Sequence, residues 1–310
     1  MPIVDAHHHL WDLARGPLRY PWLQDSEPHE FFLGDYAGLR RDYLPEDYRR
    51  DAGGHDVVKT VHVEAECSRE QQVAETEWLT ALAAMHGMPN AIVAHAWFHT
   101  PEAAEVLERQ AAFPLVRGIR SKPFRDGMMQ EKAWLAGYAL LERFGLSWDL
   151  RVKTWELEEA AAVVRAHPGI PVVLNHTGFP WDRSAEGIEL WRRGMRALAA
   201  SPHCYCKLSC LCLPKGAWDY EDNRRVVLEA IGIFGAERCM FASNFPVDGL
   251  RVPFGPMFDD FKAHDAGFFE RGAPRAVPRQ RRALLPPVGW AAGPPYSRDK
   301  SGIASGRTSS

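Results

Sequence analysis

A chain of 310 residues with 46% hydrophobic and 25% charged residues can bury a large core, which excludes a disordered protein. Its formal net charge of -3 leaves no electrostatic footprint for nucleic acid or an anionic membrane surface. No apolar run is long enough to span a bilayer, and Met1-Pro2-Ile3-Val4-Asp5 lacks the cationic and then apolar regions of a secretory leader.

These features predict a cytoplasmic enzyme-sized domain acting on a small-molecule substrate. Nucleic-acid and membrane partners and an organic cofactor are not expected, and a homo-oligomer is compatible with the composition.

In chain order, the first apolar run is Ile3-Val4-Asp5-Ala6, short and followed at once by polar residues, as for a buried strand whose end opens into a site. Residues 12–51 are rich in Pro, Gly and aromatics without a steady period and read as a long loop with at most a short helical turn. Short apolar runs then recur at 57–65, 91–98, 115–121, 146–150, 171–176, 204–209 and 239–243, making eight with the first.

Between them lie segments of helical period at 70–86, 101–112, 130–144, 156–166, 185–200 and 221–234. Strand then helix, repeated around eight times, predicts an α/β fold of the (β/α)8 TIM-barrel type in a single domain over residues 1–268. A doubly wound sheet would place a Gly-rich phosphate loop after the first strand, where this chain has histidines.

From about Gly267 the composition turns to Arg, Pro, Gly and Ser, so 269–310 reads as an irregular tail, either a disordered extension or sequence from a shifted reading frame. Four of six cysteines crowd into Cys204-Tyr205-Cys206-Lys207-Leu208-Ser209-Cys210-Leu211-Cys212. That spacing is not a disulfide framework. Small packing residues are expected, with a soft-metal site as the alternative.

The strongest chemical signal is Asp5-Ala6-His7-His8-His9-Leu10-Trp11-Asp12. The two-residue strand period puts His7 and His9 on one face and His8 on the other. At the C-terminal end of a barrel strand such a pair can share a divalent metal, with Zn2+ the first candidate. A packed histidine cluster is the blander account.

This opening resembles the amidohydrolase-related family of the amidohydrolase superfamily, in the branch that holds sugar and muconate lactonases. The resemblance continues through His62-Val63-Glu64-Ala65, Gly118-Ile119-Arg120, Asn175-His176-Thr177-Gly178, Lys207-Leu208-Ser209 and Phe241-Ala242-Ser243-Asn244-Phe245-Pro246-Val247. It implies that His176 joins His7 and His9 around the reacting centre, as a third metal ligand or as a hydrogen-bonding group.

Two positions depart from the superfamily pattern. Asn244 stands where an Asp usually serves as general base, and an amide cannot accept that proton; Asp248, four residues on, is the carboxyl that could reach back. Asp149 in the fifth strand replaces a histidine ligand. Lactonases of this branch are thought in some cases to work without metal, so metal is left open.

For substrate binding, Arg120 suits a carboxylate through paired hydrogen bonds, ahead of Lys122 and Arg125. Glu64 would orient a ligand histidine or substrate hydroxyls. Trp11, Trp22, Trp97, Phe98 and Trp181 fall where pocket walls arise, with Trp11 and Trp181 the leading contacts.

The expected reaction is hydrolysis of a small lactone, either a sugar lactone or a carboxylated muconolactone or pyrone, by activated water. The rivals are non-oxidative decarboxylation of an aromatic or muconate acid on the same frame, and an inactive metabolite-binding barrel.

Overall fold

The computed structural model describes residues 2–26 and 29–269. Eight strands pair in sequence order: β1 (Ile3–His8), β2 (Val57–Val63), β3 (Ala91–Ala94), β4 (Val116–Ile119), β5 (Ser147–Leu150), β6 (Val172–Leu174), β7 (Cys204–Leu208) and β8 (Cys239–Phe241). Every neighbouring pair is parallel.

The sheet closes on itself just past β8. The Asn244 N–H donates to the His7 carbonyl and the His9 N–H to the Phe245 carbonyl, each at 2.8 Å. The product is a (β/α)8 barrel.

Six helices follow β2 to β7 in turn: α3 (Gln72–His86), α4 (Ala103–Ala111), α5 (Lys132–Phe144), α6 (Leu157–Ala166), α7 (Ala185–Ala199) and α8 (Tyr220–Phe234), with α1 (Pro21–Gln24) and α2 (Pro45–Ala52) inside the first long connection. In α7 the spacing of Ile188, Trp191, Met195 and Leu198 makes one apolar stripe, all of it buried. Ser184 starts that helix by accepting the Gly187 N–H on its hydroxyl at 3.1 Å. Gly137 lets α5 approach the segment after β3, because a Cβ there would lie 2.0 Å from the Phe98 carbonyl oxygen.

Apart from β1, which extends past its run to His8, the observed strands are shorter than the apolar runs. The run at 171–176, for example, ends as a strand at Leu174, because His176 and Thr177 turn out of the barrel through left-handed backbone, φ 58° and 55°. The runs mark where hydrophobic residues are needed, and the ladder stops where side chains swing into the mouth.

Two helices differ from expectation. In α2, only eight residues long, Pro45 opens the first turn, the Asp47 carboxylate accepts the Leu44 N–H at 3.0 Å, and Tyr48 and Ala52 face inward. The second is α9 (Phe254–Phe269) after β8, which buries Phe254, Met257, Phe258 and Phe261 against α2 and α8. A boundary at 268 therefore falls within α9, and the tail expected after it lies, from 270 onward, outside the described residues.

All four clustered cysteines are free and buried, Cys204 and Cys206 on β7 and Cys210 and Cys212 just past its end. Burial raises the Cys206 and Cys210 thiols well above their usual range. Cys204, Cys206 and Cys212 pack within the hydrophobic core.

Candidate active site

β1 is anchored before its histidines begin. The buried Asp5 carboxylate accepts the Ser243 N–H (2.8 Å), the Ser243 hydroxyl (2.6 Å), the Tyr48 hydroxyl (2.7 Å) and the His7 N–H (3.2 Å). Those bonds tie β1, α2 and the exit of β8 together and fix where His7 sits. Burial still holds the Asp5 carboxyl above its ordinary range.

His7 and His9 face each other with their Nε2 atoms 3.3 Å apart. His9 Nδ1 lies 2.7 Å from the Val63 carbonyl oxygen, which can only accept, so this nitrogen carries the proton and Nε2 is left with a lone pair. Burial keeps both rings neutral, pushing His9 down to about 3 and His7 well below its usual value.

His176 completes the cluster, its ring centroid 4.5 Å from that of His7 and its Nδ1 3.0 Å from the Ser209 hydroxyl. Burial lowers its pKa as well, with Arg120 adding to the effect. Glu66, His176, Cys210 and Asn244 all adopt φ between 53° and 60°, so four strands leave the barrel through non-glycine left-handed residues. Such strain concentrates where a fold aims side chains at a ligand.

Two imidazole nitrogens 3.3 Å apart match the separation that bonds of about 2.0–2.1 Å give on one tetrahedral ion. His7 and His9 thus fit a divalent metal as a two-donor seat. His176 does not join them in a ligand trio: among the described residues no three His, Cys, Asp or Glu side chains converge closely enough to hold an ion. Its left-handed backbone and its bond to Ser209 set it beside the pair.

Asp149, at the expected position of a histidine ligand, is buried in an ion pair with Lys207 and accepts the Asn175 side-chain N–H at 2.8 Å. Lys207, on β7, is only 2% exposed. A lysine in an apolar run gave little warning of this partnership, since the two are 58 residues apart.

Asn244 lies at the mouth with its Nδ2 donating to Asp248 Oδ1 at 2.9 Å. The Asp248 carboxylate also accepts the Cys210 N–H at 3.1 Å and is raised to about 7, chiefly by burial. Asp248 does reach back, but toward Asn244 and not into the cavity.

Arg120 and Glu64 are committed to each other. The Arg120 Nε–H donates to Glu64 Oε1 and a terminal N–H to the Glu64 carbonyl, both at 2.5 Å. Glu64 is fully buried; although burial opposes its charge, Arg120 and then Lys122 hold its carboxyl well below the usual range. It therefore orients Arg120, while the Val63 carbonyl orients His9.

Arg151, just past β5, was not anticipated. Among the described residues its guanidinium makes no hydrogen bond or ion pair, and it lies 5.4 Å from the Phe179 ring centroid. It lines, with His9, Arg120, His176 and Asn244, a cavity of about 340 Å³ at the C-terminal end of the barrel. Its position directly after Asp149-Leu150 was the available signal.

The first long connection supplies the cavity's aromatic wall through Trp22, Phe31 and Phe32. Trp22 is held by its indole N–H on the Ala65 carbonyl, 2.9 Å. Trp11 lies outside this cavity: it is fully buried, packed edge-on against Trp22 with its indole N–H on the Arg41 carbonyl. Trp181 stacks on Phe32 and lines a neighbouring groove, and Phe98 packs in the core against Trp134.

Comparison with known proteins places the chain in a family. The family model described as amidohydrolase matches residues 4–274. The uncharacterized protein y4mH of Sinorhizobium fredii is 38% identical, across 86% of this chain and 92% of its own length. An L-fucono-1,5-lactonase of Burkholderia multivorans is 28% identical, across 79% of this chain and 82% of its own. A crystal structure of an amidohydrolase from Burkholderia multivorans with bound zinc shares the fold, with a TM-score of 0.73 at 24% identity over 90% of this chain and 95% of that one.

Proposed function

This chain belongs to the amidohydrolase family, and we propose that it hydrolyses a small lactone, a sugar lactone or a carboxylated muconolactone or pyrone, at the cluster of His7, His9 and His176. The observation that carries the reading is that the neutral His9 and His176 line one cavity with Arg151, which has no hydrogen-bond or ion-pair partner among the described residues, while the buried His7 packs directly behind them against both rings. The lactonase relatives support the choice of a cyclic ester.

In this reading Arg151 holds a carboxylate or hydroxyls of the substrate by charge-assisted hydrogen bonds. Asn244, its amide N–H engaged by Asp248, offers Oδ1 as an acceptor that orients the attacking water. The neutral His176 ring, held at Nδ1 by Ser209, takes the proton as water adds to the carbonyl and returns it to the ring oxygen as the C–O bond breaks. His7 and His9 would hold a divalent ion, which supplies Lewis-acid polarisation of the carbonyl.

The test is a lactone panel read out as acid release, run on wild type, His7→Ala and His176→Ala. Loss of turnover in both variants, with the fold intact, supports the assignment. Full activity in either refutes it, and carbon dioxide release from aromatic acids with no lactone opening would favour decarboxylation instead.

A further inference from the structure

Beside the mouth lies a second, larger cavity of about 470 Å³, and the two share Phe32, Arg151 and Phe179 as walls. The shared residues make the two cavities neighbours, with Arg151 between them. Beyond the shared walls Trp155, Trp181 and Leu190 give the lining an apolar stretch, beside the polar Lys153, Thr154, Glu156 and Asp182.

The aromatic rings are ordered among themselves. Trp181 stacks on Phe32 with ring centroids 5.0 Å apart and planes 16° apart, and lies 4.7 Å from Phe179. Trp155 at the rim is 61% exposed. The Trp181 indole N–H is buried without an acceptor among the described residues, a cost that a ligand oxygen would relieve. None of these groups has a part in the hydrolytic steps above.

We propose that this groove seats an aromatic arm carried by the substrate, so that the enzyme acts on a lactone bearing an aryl substituent. The inference rests on the lactonase reading and narrows its substrate class. Arg151 at the junction takes the polar or anionic group where ring and arm meet, over the face of Phe179. Flat aromatic walls favour an aryl group, since stacked and edge-on rings gain more than area alone supplies.

The experiment compares an unsubstituted δ-lactone with the same lactone carrying a phenylethyl arm, on wild type, Leu190→Trp and Trp155→Ala. Calorimetry of butanoate against 4-phenylbutanoate binding runs in parallel on the same proteins. In wild type the arm should raise kcat/KM by at least about tenfold, as burying a few apolar carbons predicts. Leu190→Trp fills the groove and should erase that gain while the unsubstituted lactone is turned over within about twofold of wild type.

Trp155→Ala, at an exposed rim position, should reduce the gain without risk to the fold. No gain from the arm in wild type, or a gain that survives Leu190→Trp, overturns the proposal. If no lactone is hydrolysed, tighter binding of 4-phenylbutanoate that Leu190→Trp abolishes would sustain the groove and refute the lactonase reading alone. Equal binding of the two acids would refute the groove.

Discussion

Asn244 and Asp248 form one hydrogen-bonded unit, the amide of the first donating to the carboxylate of the second at 2.9 Å across one turn after β8. The carboxyl group absent from position 244 is thus present one turn later, buried and holding the amide in place. Its raised pKa gives a testable pH dependence.

Asp248 titrates near 7 when folded and near 4 when unfolded, so between those values the folded chain keeps a proton that the unfolded chain releases. Folded protein binding more protons means that this group's stabilising contribution is full below pH 4 and is lost as pH rises through 7. Urea titrations at pH 4.5 and 7.5 should show Asp248→Asn losing less stability than wild type over that interval, by up to roughly 3 kcal/mol. An identical loss in both proteins would contradict the assignment.

Arg120 and Arg151 should separate in kinetics and stability. Arg120→Ala leaves Glu64 buried without its main partner and should cost about 3–5 kcal/mol in denaturant unfolding. Arg151→Ala removes no hydrogen bond or ion pair among the described residues, only the contact with Phe179, so the melting temperature should change little while KM for a carboxylated lactone rises roughly tenfold or more and kcat changes little. A large loss of stability in Arg151→Ala would show that it has a structural partner.

The Lys207–Asp149 pair makes a third case. Lys207→Met strands a buried carboxylate and should destabilise the barrel by about 3–5 kcal/mol, and adding Asp149→Leu should restore at least half of that. Additive losses in the double variant would mean that the two groups are not energetically coupled.

Metal content follows from the two-donor seat. Elemental analysis of protein purified with zinc present should find no more than one equivalent per chain, and His7→Ala/His9→Ala should carry none. Retention of bound zinc in that double variant would place the ion elsewhere.

Much of this architecture was legible before folding because it depends on local order. Eight apolar runs separated by amphipathic segments dictate a barrel, and a period of two puts His7 and His9 on one face whatever surrounds them. The stripe Phe254, Met257, Phe258 and Phe261 in α9 was equally local, but its proximity to the change in composition near Gly267 obscured it.

What only the tertiary structure decided is which charges are already spent. Arg120 lies 56 residues from Glu64, and Lys207 lies 58 from Asp149, so no local pattern reveals that these partners consume each other's hydrogen bonds. Arg151 gains its place by the same logic, as a guanidinium at the mouth that lies over Phe179 and has no hydrogen-bond or ion-pair partner among the described residues. Periodicity in the sequence fixes which side chains face inward. Free valence at the site is a property of contacts between distant strands, and it exists only after the barrel has closed.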